Sequence, residues 1–446
     1  MNRYVIVGSG AAGISAAEAI RNEDPAGEIY IASMERQGYY SRPGLAYYLS
    51  GEIPEKFLFP FSETDFKKQK LRLVLANVAQ VRPLEHTLLL QNGSAFTYDR
   101  LLLATGSTAR QAALPGDELE GVVKLDNIED AHRILNLCRR GRKAVVVGGG
   151  ITALEIVEGL ISRGVTTSYF LRGDRYWNNV LDEAESRIVE HRLAEEGVKI
   201  EFKTEIAEIL GRNGRVVGVR TKDGRQFQCD IVAYAVGVVP RLRIAKQSGL
   251  DIGKGILVDE NLQTSYPDIF AAGDVAEVYN PSSGTRELNT LWGIARRQGG
   301  VAGKNMTGNC IPFKPEIPFN ITRLAGLTTT IIGAVGRGDD KDLIGIARGD
   351  SEAWRHLPDA IAAGYGFEVN NLRVMVGTYT LLGAVVMGDQ TLSEPLQHLV
   401  REQVDITPIR ARLLQPGAQL GEILIQFWSQ WIAEHGNQPA SRAQQR

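Results

Sequence analysis

The segment Val5-Ile6-Val7-Gly8-Ser9-Gly10-Ala11-Ala12-Gly13 returns 140 positions later as Val145-Val146-Val147-Gly148-Gly149-Gly150-Ile151-Thr152-Ala153. Each copy follows a short apolar run and opens an amphipathic stretch, the strand–turn–helix setting in which glycines at this spacing hold a dinucleotide. Gly8 and Gly148 permit the tight turn, Gly10 and Gly150 let a diphosphate approach the backbone, and Gly13 and Ala153 let helix and strand pack closely. Free N–H groups and the helix dipole then favour the anion. Ala11, Ala12, Ile151 and Thr152 belong to the same two turns. One such motif is weak evidence, because glycine-rich turns arise by chance. Two in context predict two dinucleotides on one chain, and hence electron transfer between them.

The surroundings repeat as well. After the first motif, residues 28–32 read as a strand, 71–90 alternate as strands with Asn92-Gly93 as a hairpin turn, and 98–106 read as a buried strand ending in glycine. After the second come a strand at 168–171, a helix from about Asp182 to Glu196, strands that turn at Asn213-Gly214 and Asp223-Gly224, and a buried strand at 230–237. A third block begins near Phe319, rich in β-branched residues and glycine at 331–336 and 374–379, and ends in an amphipathic helix around 420–434. The tail from Gly436 reads as polar and frayed. The expected fold is α/β: two Rossmann-like three-layer dinucleotide-binding domains plus a C-terminal α+β domain. The first domain is discontinuous (1–110 and 236–318), the second spans 111–235, and the third spans 319–446.

Composition narrows the partners. The 50 basic and 52 acidic residues nearly cancel, so no field for a polyanion is implied and nucleic acid is not expected. Cys138, Cys229 and Cys310 lack any paired spacing, which argues against a disulfide framework or a local redox pair. His86, His132, His191, His356, His398 and His435 are dispersed, and no metal site is expected. The first strand begins at about the third residue, leaving no room for a leader before it. The longest apolar run, 231–239, is far short of the roughly 18 residues a membrane span needs. A cytoplasmic location is the expectation.

These segments resemble the two-dinucleotide-binding flavoprotein reductases, the FAD-dependent pyridine-nucleotide oxidoreductase superfamily. Residues 98–110 resemble that family's segment beside the FAD diphosphate, which implies roles for Ala104, Thr105 and Gly106. Residues 255–259 and 269–274 resemble the segment whose final acid meets the flavin's ribityl chain, implying Gly273 and Asp274. Residues 382–389 resemble the family's C-terminal interface domain. The resemblance assigns the first motif to FAD and the second to NAD(P)H, with Gly237 at the second site. Glu155 then has two readings, an acid near the nicotinamide or one placed for the helix dipole. Glu35, 22 residues past Gly13, stands where an acid accepts both hydroxyls of an adenosine ribose. Arg36 and Val78 are further implied FAD contacts. Trp292, Gln298 and Gly299 resemble a helix whose N-terminal end faces the flavin.

Departures from the family pattern are informative. In disulfide-reducing members the redox cysteine falls at about Pro43, and no cysteine lies nearby. The pattern Tyr40-Ser41-Arg42-Pro43 instead resembles the rubredoxin and ferredoxin reductases and the flavoprotein part of nitrite reductases. It implies that Arg42 contacts the diphosphate or the flavin. The lysine that approaches the flavin in ferredoxin-reductase relatives corresponds to Tyr47, so Pro43, Tyr47 and Glu155 are the flavin-proximal candidates. NAD-preferring members carry an acid where this chain has Leu171. Arg172 and Arg175 could instead neutralise a 2′-phosphate, with Asp174 as a partial substitute for the acid, so the reading leans toward NADPH over NADH. The expected activity is an FAD-dependent NAD(P)H oxidoreductase that passes electrons to a rubredoxin, a ferredoxin or a nitrite-reductase-like partner. Some relatives pair through the third domain, so a homodimer is one option. The rival readings are an NAD(P)H oxidase, a disulfide reductase lacking the usual cysteine, and a nucleotide-sensing flavoprotein.

Overall fold

The computed structural model describes residues 1–281, 284–315, 317–333, 335, 371–415 and 417–435. Within the stretch 331–336 noted above, positions 334 and 336 lie outside the described residues, as do His356 and the tail from Gly436. The chain forms two compact units. One comprises Met1–Asn178 and Asp182–Pro315, and the other takes Asn179–Leu181 and the described residues from 317 onward.

The first unit holds two five-stranded parallel sheets built on one plan. In the first, the strands run Ile269–Ala271, Arg100–Leu103, Arg3–Val7, Glu28–Ser33, Leu71–Leu75. In the second, the order is Val122–Val123, Ile231–Tyr234, Lys143–Val147, Thr166–Phe170, Lys199–Glu201. Parallel strands covered on both faces read as continuous apolar runs, and Val5, Ile6, Leu101, Leu102, Val145, Val146, Val232 and Ala233 are all buried accordingly. The fifth strand of the first sheet arrives only after the whole second fold has been threaded. An antiparallel ribbon, Ser107–Ala109 against Val238–Pro240, carries the chain out and back. Asp182 caps the helix Glu183–Glu195 in a capping box, as the run of polar residues there suggests. Asn213 and Gly214, both at positive φ, turn the hairpin between Ile206–Arg212 and Arg215–Thr221.

One arginine locks the corner behind the first motif helix. Arg21 donates to five carbonyls: Gln69 at 2.8 Å, Asp24 at 3.2 Å, Pro25 at 2.9 Å, Gly27 at 3.0 Å and Lys70 at 3.1 Å. No neutral side chain can replace this set. Arg21→Met, which keeps the apolar stem, is expected to cost about 2–3 kcal/mol. The check is the thermal midpoint of the protein, expected to fall by about 5 °C. A midpoint within about 1 °C of wild type would show that water replaces the guanidinium at little cost.

In the second unit four antiparallel strands lie in the order Phe319–Leu324, Leu327–Gly333, Leu381–Met387, Asn371–Val376. The helices Ser393–Arg401, Thr407–Leu413 and Leu420–His435 cover this sheet, around a core that includes Ile332, Val386, Leu396, Leu399, Ile406 and Leu424.

Candidate active site

A cleft of about 880 Å³ opens at the carboxyl ends of the first sheet's strands. Gly8, Gly10, Ala11, Ala12, Glu35, Arg36, Arg42, Pro43, Val78, Ala104, Thr105, Gly106, Gly273 and Asp274 all line it. Gly13 lies beneath the lining, where a Cβ would stand 2.0 Å from the Gly8 carbonyl oxygen. At Gly8 the backbone has φ +117°, and a Cβ there would meet the Ala104 carbonyl oxygen at 2.1 Å. The turn therefore admits no side chain, and it points the N-terminus of the helix Ala11–Glu23 at the cleft.

Glu35 extends from the loop after Glu28–Ser33. One carboxylate oxygen pairs with Arg42 Nη2 at 2.8 Å, and the other, Oε2, is buried without a hydrogen-bond partner. A buried acceptor left unmade is costly unless something outside the chain supplies the donor. Ribose hydroxyls are such donors, so the site fits an adenosine dinucleotide. Arg42 makes its own bonds within the protein: to Glu35, to the Tyr40 hydroxyl at 2.9 Å and to the Asp126 carbonyl at 3.1 Å. Burial works against the charge on Arg42, but Tyr40 and Glu35 outweigh it and hold the guanidinium above its usual basicity. Burial, partly opposed by Arg42, likewise holds the Tyr40 phenol protonated.

At the other end of the cleft, Ser107 Oγ donates to Asp274 Oδ2 at 2.6 Å, and the Gly273 N–H donates to Gln298 Oε1 at 2.8 Å. Gln298 is buried on the helix Trp292–Met306, so that helix sets the Gly273-Asp274 turn. Trp292 lines the cleft, with the Arg296 guanidinium 5.1 Å from its ring centre. Tyr40, from the 40–43 pattern, and Ser107 and Thr108, within the 98–110 segment, also line the cleft, as do Asp126 and Arg241, which sequence reasoning missed. Asp126 and Arg241 are 115 positions apart, with no motif at either.

The second motif is built the same way. Gly148 has φ +145°, and a Cβ there would meet the Ala235 carbonyl oxygen at 2.2 Å. Gly150 precedes the helix Ile151–Ser162 and has open space where its side chain would be, as does Gly237. Ile151 is buried and Thr152 half-buried in the first turn. Glu155 is buried on this helix, which packs against the short helix Leu45–Ser50 that carries Tyr47. Arg163 Nε donates to the Leu49 carbonyl at 2.9 Å across that junction. Tyr47 is buried and, unlike Pro43, is not part of the cleft lining. Leu171 is fully buried, so the end of the second strand presents no acid. Arg172 is exposed, and Arg175 lies 3.6 Å from Asp174 and donates to the Asn178 carbonyl.

No cysteine lines the cleft. Burial, reinforced by Asp230, pushes the Cys229 thiol up to about 12, which makes it a poor nucleophile. Among the described residues no three His, Cys, Asp or Glu side chains are grouped to hold a metal, and no helix is long and apolar enough to cross a membrane.

Comparison with known proteins gives consistent matches. Residues 2–299 match the family described as pyridine nucleotide-disulphide oxidoreductase. A probable ferredoxin reductase, CtmF, of Castellaniella defragrans is 32% identical over 397 residues, covering 88% of this chain and 97% of that protein. The 3-phenylpropionate/cinnamic acid dioxygenase ferredoxin–NAD(+) reductase component of Photorhabdus laumondii is 29% identical, covering 84% of this chain and 95% of that one. Among solved structures, the covalent putidaredoxin reductase–putidaredoxin complex superposes with a TM-score of 0.79 over 95% of this chain and 98% of that one, at 21% identity, a likeness of fold.

Proposed function

Because the chain belongs to the pyridine nucleotide-disulphide oxidoreductase family, we propose that it is an FAD-dependent reductase that takes electrons from NADH and passes them to a small redox protein. The observation that carries this reading is a pair of motif folds in one compact unit, with a dinucleotide cleft that holds no thiol. Bound FAD supplies hydride acceptance and the release of electrons one at a time. The protein's own part is to hold and orient. Gly8 and Gly148 expose two helix N-termini, Glu35 keeps one oxygen for ribose, and Ser107 with Gln298 fixes Asp274. Residues 1–110 with 236–318 then hold FAD, 111–235 hold the nicotinamide nucleotide, and 319–446 form an interface-like domain. With proline at position 43 no local disulfide can take the electrons, so they leave to an outside acceptor. The cytoplasm, where reduced nicotinamide nucleotides are made, is the expected compartment.

The nucleotide site supports a finer reading. The buried Leu171 offers neither a ribose clamp nor repulsion of a 2′-phosphate, and Arg172 and Arg175 place positive charge on the following loop. NADPH is therefore expected to serve at least as well as NADH. Anaerobic mixing with each nucleotide, followed by loss of the visible flavin bands, measures this directly. Bleaching by NADH more than about tenfold faster would remove NADPH from the proposal. With either donor, cytochrome c should be reduced quickly only when a ferredoxin or rubredoxin is added. Rapid oxygen consumption with no protein acceptor would instead favour an oxidase.

A further inference from the structure

Two arginines reach the dinucleotide cleft from segments outside the glycine motif, and one residue anchors both. Arg241 follows the ribbon strand Val238–Pro240, and Arg42 lies in the loop ahead of the helix Leu45–Ser50. Asp126 is 3% exposed. Its Oδ2 accepts from Arg241 Nη2 and from Thr108 Oγ1, each at 2.8 Å, with Lys124 Nζ at 3.6 Å. Its backbone carbonyl accepts from Arg42 Nη1 at 3.1 Å. Arg241 Nη1 also donates to the Thr105 carbonyl at 3.2 Å. Both arginine side chains keep 30% of their surface exposed, and both line the cleft. A guanidinium carries five N–H groups in a fixed fork, and neither the two acceptors of Arg241 nor the three of Arg42 (Glu35, the Tyr40 hydroxyl and the Asp126 carbonyl) exhaust it.

Charge balance gives these two residues a purpose. The cleft lining holds four carboxylates, Glu35, Asp126, Glu129 and Asp274, against four arginines, Arg36, Arg42, Arg241 and Arg243. A dianionic diphosphate entering such a lining meets no net attraction from it, so the position of each cation decides the outcome. Arg36 and Arg243 are exposed. Arg42 and Arg241 are half-buried and tied in place, which means that little rotamer entropy remains to be lost on binding.

We infer that Asp126 is a positioning residue for the dinucleotide: it orients Arg241 and Arg42 so that their remaining N–H groups meet the anionic cofactor. Asp126 offsets none of the cofactor's charge itself; it acts through the two guanidinia. The inference rests on the FAD reading above.

The test is FAD binding to apoprotein, followed by quenching of flavin fluorescence between about 20 and 300 mM NaCl. Arg241→Gln is expected to weaken binding about tenfold to hundredfold and to flatten the salt dependence, since a screened charge contact has been removed. Arg241→Lys should recover part of the affinity and most of the salt slope. Asp126→Asn, which keeps the shape, should weaken binding to a similar degree, and the double variant should be little worse than the worse single one. A purely structural role would lower the apoprotein's thermal midpoint and leave the salt slope alone. Affinities within about threefold of wild type with an unchanged slope overturn the inference. If Asp126→Asn does not fold, the Lys and Gln variants at position 241 decide the matter. Wild-type protein that binds no FAD refutes the function proposed above, and is distinct from either result.

Discussion

Gly150→Asp is expected to leave the protein folded and yellow while making it nearly inert toward NADH. Gly150 sits at the N-cap of Ile151–Ser162 with φ −114° and ψ −175°, an extended backbone open to any residue, and nothing lies within 4 Å of where its Cβ would be. Aspartate is a favoured N-cap, so the helix should gain rather than lose stability. The new carboxylate, however, would take the free N–H groups intended for the diphosphate and repel its charge. The KM for NADH should rise at least about 100-fold, equivalent to nearly 3 kcal/mol, with the flavin spectrum intact. Gly10→Asp makes the same change at the first motif, where the backbone is again extended and the space again open. There the expected product is folded but colourless. The pair assigns the two sites independently: flavin lost from Gly150→Asp, or kept by Gly10→Asp, would show that the cofactors are assigned to the wrong folds.

The second large effect concerns how the cleft floor is held. The helices Ala11–Glu23 and Trp292–Met306 cross backbone to backbone. A Cβ at Gly303 would lie 2.5 Å from the Ala16 carbonyl oxygen and 2.9 Å from its Cα, and one at Gly299 would lie 2.1 Å from the Ala12 carbonyl oxygen. Backbone cannot swing aside as a side chain can, so Gly303→Leu must separate the helices. A loss of about 3–5 kcal/mol is expected, with FAD retention falling because Ala12 lines the cleft. Gly300, on the same helix, has nothing within 4 Å of its Cβ position. Gly300→Ala should therefore stabilise by about 0.5–1 kcal/mol through helix propensity alone. Thermal midpoints of Gly300→Ala and Gly303→Ala should thus move in opposite directions. A shared direction would mean that the helix contact tolerates more than its geometry implies.

Much of this architecture was legible along the chain. The two motifs, the strands after them, the Asn213-Gly214 turn and the helix beginning at Asp182 depend on residues close in sequence, and local sterics and capping act at that range. Glu35 was legible for a related reason: its distance from the motif is set by one helix and one strand of ordinary length. Arg42 is legible as a cleft residue, but its partners are not. The sequence pattern points it toward the diphosphate or flavin, and the fold adds that it is held in the cleft lining by Glu35, Tyr40 and the Asp126 carbonyl. The resemblance puts Tyr47 where relatives carry a lysine, and the fold buries it on a helix face outside the cleft lining.

The sequence by itself thus determined that two dinucleotide folds occur on this chain, that the first has an acid, Glu35, just after its second strand where the second has Leu171, and that no cysteine lies near Pro43. Each of these rests on residues within one strand–turn–helix unit. Only the tertiary structure decided which charges meet in the cleft. Asp126, Arg241, Thr108 and Arg42 come from segments separated by the threading of one fold through the other, and no local periodicity records that meeting. The electrostatic balance of the cleft is a property of that threading, because the strength of a charge pair depends on the distance and burial that packing sets.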